Sequence, residues 1–86
     1  SNITNVNHMT NLRILYADGS GINNDGIQDL NLFELDAHNN GNITSVNHMN
    51  NLKILDASGP RCMIDNAGIM KINPIELNVS HNPRII

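Results

Sequence analysis

The side chains able to do chemistry in this 86-residue chain are eight acids, four histidines, one cysteine and one tyrosine. Five of the acids, Asp18, Glu34, Asp36, Asp56 and Glu76, recur in short stretches where apolar and polar residues alternate. Carboxylates in pairs suit acid–base work or calcium binding, and each use needs its own frame. Calcium gathers roughly six to eight oxygens from a flexible loop. Hydrolysis needs two carboxylates in unequal, partly enclosed environments. Acids spaced evenly along the chain form a row instead of a cage, so no metal site and no enzyme are expected.

The histidines fare no better as zinc ligands. Neither His8 nor His48 has a Cys, Asp or second His three or four residues on, the spacing that places two ligands on one metal. His38 and His81 are isolated as well. Cys62 stands in Pro60-Arg-Cys-Met63 with no histidine beside it, and reads as a half-buried structural thiol. A single cysteine allows no intrachain disulfide, which favours a reducing compartment such as the cytoplasm. Asn2, Asn42 and Asn78 open N-x-S/T triplets that would matter only after secretion. In so asparagine-rich a chain such triplets arise by composition, and the first two are copies of one position.

These residues are positioned by an internal repeat. Ile3-Thr-Asn-Val-Asn-His-Met-Thr-Asn-Leu-Arg-Ile-Leu15 returns as Ile43-Thr-Ser-Val-Asn-His-Met-Asn-Asn-Leu-Lys-Ile-Leu55. Ile22-Asn-Asn-Asp-Gly-Ile27 returns as Ile64-Asp-Asn-Ala-Gly-Ile69. Each long unit divides again, because Leu12, Leu15 and Ala17 are answered by Leu32, Leu35 and Ala37, by Leu52, Leu55 and Ala57, and by Pro74, Leu77 and Val79. The shift between these sets is 20 to 22 residues, which falls in the range of known short repeats.

The L-x-x-L-x-L-x-x-N pattern resembles the leucine-rich-repeat (LRR) family over almost the whole chain. The signature asparagine stands at Asn40 and Asn82, and Ser20 and Pro60 replace it in the alternate repeats. The Met9-x-x-Leu12 step resembles bacterial adhesin-type repeats. The asparagine-rich tandem arrangement resembles arrays in amoebal and giant-virus proteins. The resemblance implies an α/β fold: an LRR solenoid, a right-handed superhelix with a parallel concave sheet and short helical or 3-10 convex segments. It also implies a protein-binding role.

The spacing supports that architecture independently. In Leu12-Arg-Ile-Leu15-Tyr-Ala17, Leu15 and Ala17 point to one side while Ile14, Tyr16 and Asp18 point to the other. Strands are therefore predicted near 13–17, 33–37, 53–57 and 75–79, in one domain spanning 1–86. Only parallel strands about 4.8 Å apart keep equivalent residues stacked. The returns Asp25 to Leu30, Ser45 to Asn50 and Asn66 to Ile72 have room for one or two helical turns. Asn40 and Asn82 are expected to pair buried backbone groups from inside, and Ser20 and Pro60 to weaken that ladder.

The solvent side of the sheet would then carry three rows: Ile14, Glu34, Ile54 and Glu76; Tyr16, Asp36, Asp56 and Asn78; and Asp18, His38, Ser58 and Ser80. These rows read either as a mildly acidic binding patch anchored by Tyr16, Ile14 and Ile54, or as a solvated face whose charges discourage edge pairing. The site residues are taken as Ile14, Tyr16, Asp18, Glu34, Asp36, His38, Ile54, Asp56, Glu76 and Asn78. Adjacent carboxylates about 5 Å apart repel by only about 0.8 kcal/mol in water, so the row is tolerable.

The expected partner is another protein. A net charge of −3 with no basic stripe argues against nucleic acid or an anionic membrane, and no apolar run is long enough to cross a bilayer. No cofactor is implied. Neither end carries a polar capping element, so the chain reads as cut from a longer array or as a unit that associates end to end.

Overall fold

The computed structural model describes residues 3–86. Alternation of apolar and polar residues yields four short strands, β1 (Ile14–Tyr16), β2 (Glu34–Asp36), β3 (Ile54–Asp56) and β4 (Glu76–Asn78). They form one parallel sheet in chain order. Equivalent repeat positions face each other: Leu15 opposite Leu35, Leu35 opposite Leu55, and Leu55 opposite Leu77.

Each assigned strand is the middle of its predicted span. Beyond it the pairing continues, with the Phe33 amide donating to Arg13 O at 2.8 Å and the Ala37 amide to Asp56 O at 2.8 Å. The returns contain 3-10 helices at Asp25–Ile27 and Ala67–Ile69. The return Ser45 to Asn50, expected to be helical, is instead built of turns, with the Met49 amide donating to Val46 O. It lacks the Asn-Asn-Asp-Gly or Asp-Asn-Ala-Gly sequence whose first side chain holds the helical turn elsewhere. There, Asp65 Oδ1 accepts the Gly68 amide at 2.8 Å, as Asn23 Oδ1 accepts that of Gly26. Among the described residues no helix is long and apolar enough to cross a membrane.

Inward residues of the strands and returns form a single apolar cluster, including Leu35, Leu55, Ala37, Ile43, Val46 and Ile64. Gly26 and Gly68 let the returns of neighbouring repeats approach closely, since a Cβ at either would collide with the carbonyl of Thr4 or Thr44. Those glycine carbonyls accept the Val6 and Val46 amides at 2.9 and 3.0 Å. After each strand the chain reverses through a left-handed residue: Gly19, Asn39, Gly59 and His81, with φ between 53° and 97°. Glycine and asparagine adopt that conformation at little cost, and histidine is among the more tolerant of the rest.

The asparagine-rich composition has a structural use. One asparagine amide both donates and accepts, so it can bridge two backbone groups of a neighbouring repeat. Asn7 spans the first 3-10 helix, donating to Asp25 O and accepting from the Asp29 amide; Asn47 does the same with Ala67 O and the Lys71 amide. Inside the turns, buried Asn40 donates to Ala17 O and Ile22 O of the preceding repeat and accepts the amides of Asn42 and Ile43 in its own. Asn82 donates likewise to Ala57 O and Ile64 O.

One asparagine therefore serves two consecutive turns, which corrects the expectation that the Ser20 and Pro60 turns are weakly held. Ser20 adds its own bonds, its hydroxyl donating to Ala17 O and accepting the Ile22 amide. In the third repeat the inward place is taken by Cys62, which is fully buried, not half-buried. Burial pushes its thiol above the ordinary value of 9.0, opposed by the Ile64 amide that faces it.

Candidate functional site

Because side chains alternate across a strand, the residues on either side of each inward leucine share the solvent face. Parallel register then lines them up across the sheet. Tyr16, Glu34, Asp36, Ile54, Asp56, Glu76 and Asn78, with Leu35, Leu55 and Leu77 as its floor, enclose a shallow depression of about 290 Å³. Of the ten expected site residues, Ile14, Asp18 and His38 do not line it. Ile14 lies on the open edge strand, while Asp18 and His38 follow their strands into the reversing turns.

The rows differ in freedom. Asp36, Asp56 and Asn78 cap their own strands: each accepts through Oδ1 the amide two residues on, of His38 (2.9 Å), Ser58 (2.9 Å) and Ser80 (3.0 Å). These are local side-chain turns that fix the chain's exit from the sheet. Each leaves part of its side chain outward. Glu34 and Glu76 carry no such duty. The Tyr16 hydroxyl reaches Glu34 Oε2 at 3.5 Å, a long contact, and the Tyr16 side chain is 65% exposed. Among the described residues no Lys or Arg forms an ion pair with these carboxylates.

At the rim a hydrogen-bond chain links β2 to β3. Asn39 Nδ2 donates to His38 Nε2 at 3.1 Å, so the imidazole hydrogen sits on Nδ1 and donates to Ser58 Oγ at 2.9 Å. The Ser58 hydroxyl in turn donates to Asp56 Oδ1. The residue types are those of a hydrolytic triad, but the polarity is reversed. A nucleophilic serine gives its hydrogen to the imidazole, whereas Ser58 receives one from it, and Ser58 is buried. The arrangement is a cross-strand staple. Asn39 Oδ1 extends it by accepting the Arg61 amide at 3.0 Å.

No group of three or more His, Cys, Asp and Glu among the described residues could hold a metal. His48 instead donates through Nε2 to Ile27 O at 3.0 Å. Of the N-x-S/T asparagines, Asn42 is exposed and donates to Ser20 O, Asn78 is the strand cap described above, and Asn2 lies outside the described residues.

Sequence reading missed the capping duty of Asp36 and Asp56. The signal was present as Asp-Ala-His and Asp-Ala-Ser, an acid two residues before the turn. Compared with family models, curated proteins and solved structures, the chain matches none.

Proposed function

We propose that the chain is a leucine-rich-repeat solenoid segment, and that the solvent side of its sheet is a concave surface that holds another protein. Three features support the LRR reading: the L-x-x-L-x-A spacing, parallel strands paired repeat on repeat, and buried asparagines that clamp neighbouring turns. The observation that carries the binding role is the depression across the sheet, where an exposed Tyr16 and a half-buried Ile54 stand among carboxylates that meet no cation. Aromatic and aliphatic anchors beside charges that select a partner are the usual makings of a protein interface. The depression is open, the serine of the rim is turned the wrong way, and no cofactor or metal is called for, so the reading is of a scaffold and not an enzyme. Nucleic acid and anionic membranes are disfavoured partners for the same acidic face.

The favoured ligand is an extended, basic protein segment. Panning a random peptide display library against the chain should enrich sequences with Lys or Arg flanking an apolar residue. Tyr16→Ala with Glu34→Lys should abolish that enrichment and leave circular dichroism unchanged. These sites are chosen because neither side chain caps a strand. Enrichment that survives the double substitution would remove this face from consideration.

A further inference from the structure

Asn40 is followed by glycine, and no other asparagine in the chain is. That dipeptide has a chemistry of its own. The Gly41 amide nitrogen can attack the Asn40 side-chain carbon, close a succinimide ring and expel ammonia. Water then opens the ring at either carbonyl, leaving aspartate or, with the main chain rerouted through the side-chain carbon, isoaspartate. Glycine makes the attack easy because it has no Cβ to crowd the nitrogen and restricts the backbone least. The fold itself does not demand glycine at 41. Its φ is not left-handed, and an added Cβ would stand 3.7 Å from Arg61 O, an ordinary contact.

The folded chain opposes the reaction at the atoms it needs. Nδ2, the leaving group, donates to Ala17 O at 2.8 Å and to Ile22 O at 3.2 Å. Oδ1 accepts the amides of Asn42 at 2.7 Å and Ile43 at 3.1 Å. The residue is fully buried, so no bulk water stands beside it to carry protons or to open a ring. Turning the side-chain carbon toward the Gly41 nitrogen breaks all four bonds together. The two amides at Oδ1 pull the other way, since such donors steady the oxyanion of an acyl transfer. They help only once the carbon is reachable and ammonia can leave, and the bonds at Nδ2 hold both back.

Asn82 supplies a comparison within the molecule. It holds the equivalent clamp, donating to Ala57 O and Ile64 O, but Pro83 follows it. A proline nitrogen has no hydrogen to lose, so the neutral ring cannot close there. The two clamp residues share a duty and differ in chemical durability.

We infer that Asn40-Gly41 is a covalent modification site that folding keeps closed: a chain left unfolded converts Asn40 and cannot rebuild the clamp. Either product fails at the same contacts. Aspartate has an oxygen where Nδ2 stood, so a buried carboxylate faces the Ala17 and Ile22 carbonyls and has no hydrogen to give them. Isoaspartate also adds a methylene to the main chain, displacing the Asn40 amide and carbonyl that bond Ala37 O and the Met63 amide. Ammonia is lost, so time spent unfolded is recorded in the chain.

The test is site-resolved mass spectrometry of the 86-residue chain after incubation in mildly alkaline buffer, with and without guanidinium chloride. Circular dichroism confirms which state is present. Conversion of Asn40 adds the mass difference between an amide and an acid. Asp18-Gly19 and Asp25-Gly26 can form the same ring, but they lose and regain water and leave the mass unchanged. Conversion at Asn40 should be at least about tenfold slower in native buffer, where only molecules with an opened clamp can react. Once denaturant is removed, converted chains should fail to regain the native spectrum. Gly41→Ala keeps the clamp and slows ring closure, so after the same incubation it should retain Asn40 and refold. Equal or faster conversion in native buffer overturns the proposal. So do converted chains that refold and melt like fresh ones, or Gly41→Ala chains that keep Asn40 yet lose the refolding that fresh ones show.

Discussion

The first thirteen-residue copy, Ile3 to Leu15, and the second, Ile43 to Leu55, are almost the same sequence in different surroundings. In the second copy Met49 is fully buried and Leu52 and Leu55 nearly so, because a repeat lies on either side. In the first, Met9 is 43% exposed and Leu12 and Leu15 are only partly covered. A layered fold gives each repeat half of its burial from the repeat before it and half from the one after. The energetic weight of a residue is then set by its place in the stack and not by its type.

The sharpest way to break this comparison is at the turns. Asn40→Ala orphans the buried Ile22 carbonyl and Ile43 amide, which have no other partner, and leaves the half-buried Asn42 amide to water. At about 1–3 kcal/mol for each buried polar group left unpaired, it should destabilise by about 2–6 kcal/mol. Much of the margin of a chain this size, on the order of 5–10 kcal/mol, would be gone. Ser20→Ala, at the equivalent place in the first repeat, loses one shared bond and the Ile22 amide contact, and should lose about 1 kcal/mol. Urea melts of the two variants measure both, and equal losses would show that the turns are held independently.

A smaller contrast is expected in the apolar layers. Met49→Ala should lose about 2–5 kcal/mol, the usual range for emptying a filled site. Met9→Ala, with nearly half its surface already in water, should lose less than about 1 kcal/mol. If the two variants melt alike, burial between two repeats does not distinguish the copies.

The slightest effect should appear at alkaline pH, through Cys62. Its folded-state value is raised by burial, so the native state holds the thiol proton more tightly than the unfolded chain. The stability this contributes is complete below the ordinary value of 9.0 and is lost as pH rises toward the higher folded value. Wild-type melting temperature should fall above that pH more steeply than that of Cys62→Ala, and parallel curves would count against the assignment.

The strands, their order and the residues sharing the solvent face were legible in the sequence because a period of two and a shift of 20 to 22 residues fix register without further information. What escaped depends on partners in other repeats. Asn40 works on Ala17 and Ile22, more than a whole repeat upstream for the first of them, so a motif count taken within one repeat saw Ser20 and Pro60 as defects. Asp36 and Asp56 looked like free charge. Their local duty follows from the backbone reversing two residues later, at His38-Asn39 and Ser58-Gly59, where Asn39 and Gly59 take left-handed angles. The turn-built return at Ser45 to Asn50 shows the opposite limit: with enough room for a helical turn, the choice fell to which side chain starts it.

Everything above depends on equivalent residues of successive repeats lying side by side in parallel strands. Through-hydrogen-bond scalar couplings between backbone nitrogen and carbonyl carbon report that pairing atom by atom. Couplings should connect Ala17 to Asp36, Ala37 to Asp56 and Ala57 to Asn78. Couplings linking these segments in antiparallel order, or joining β1 directly to β3, would contradict the account.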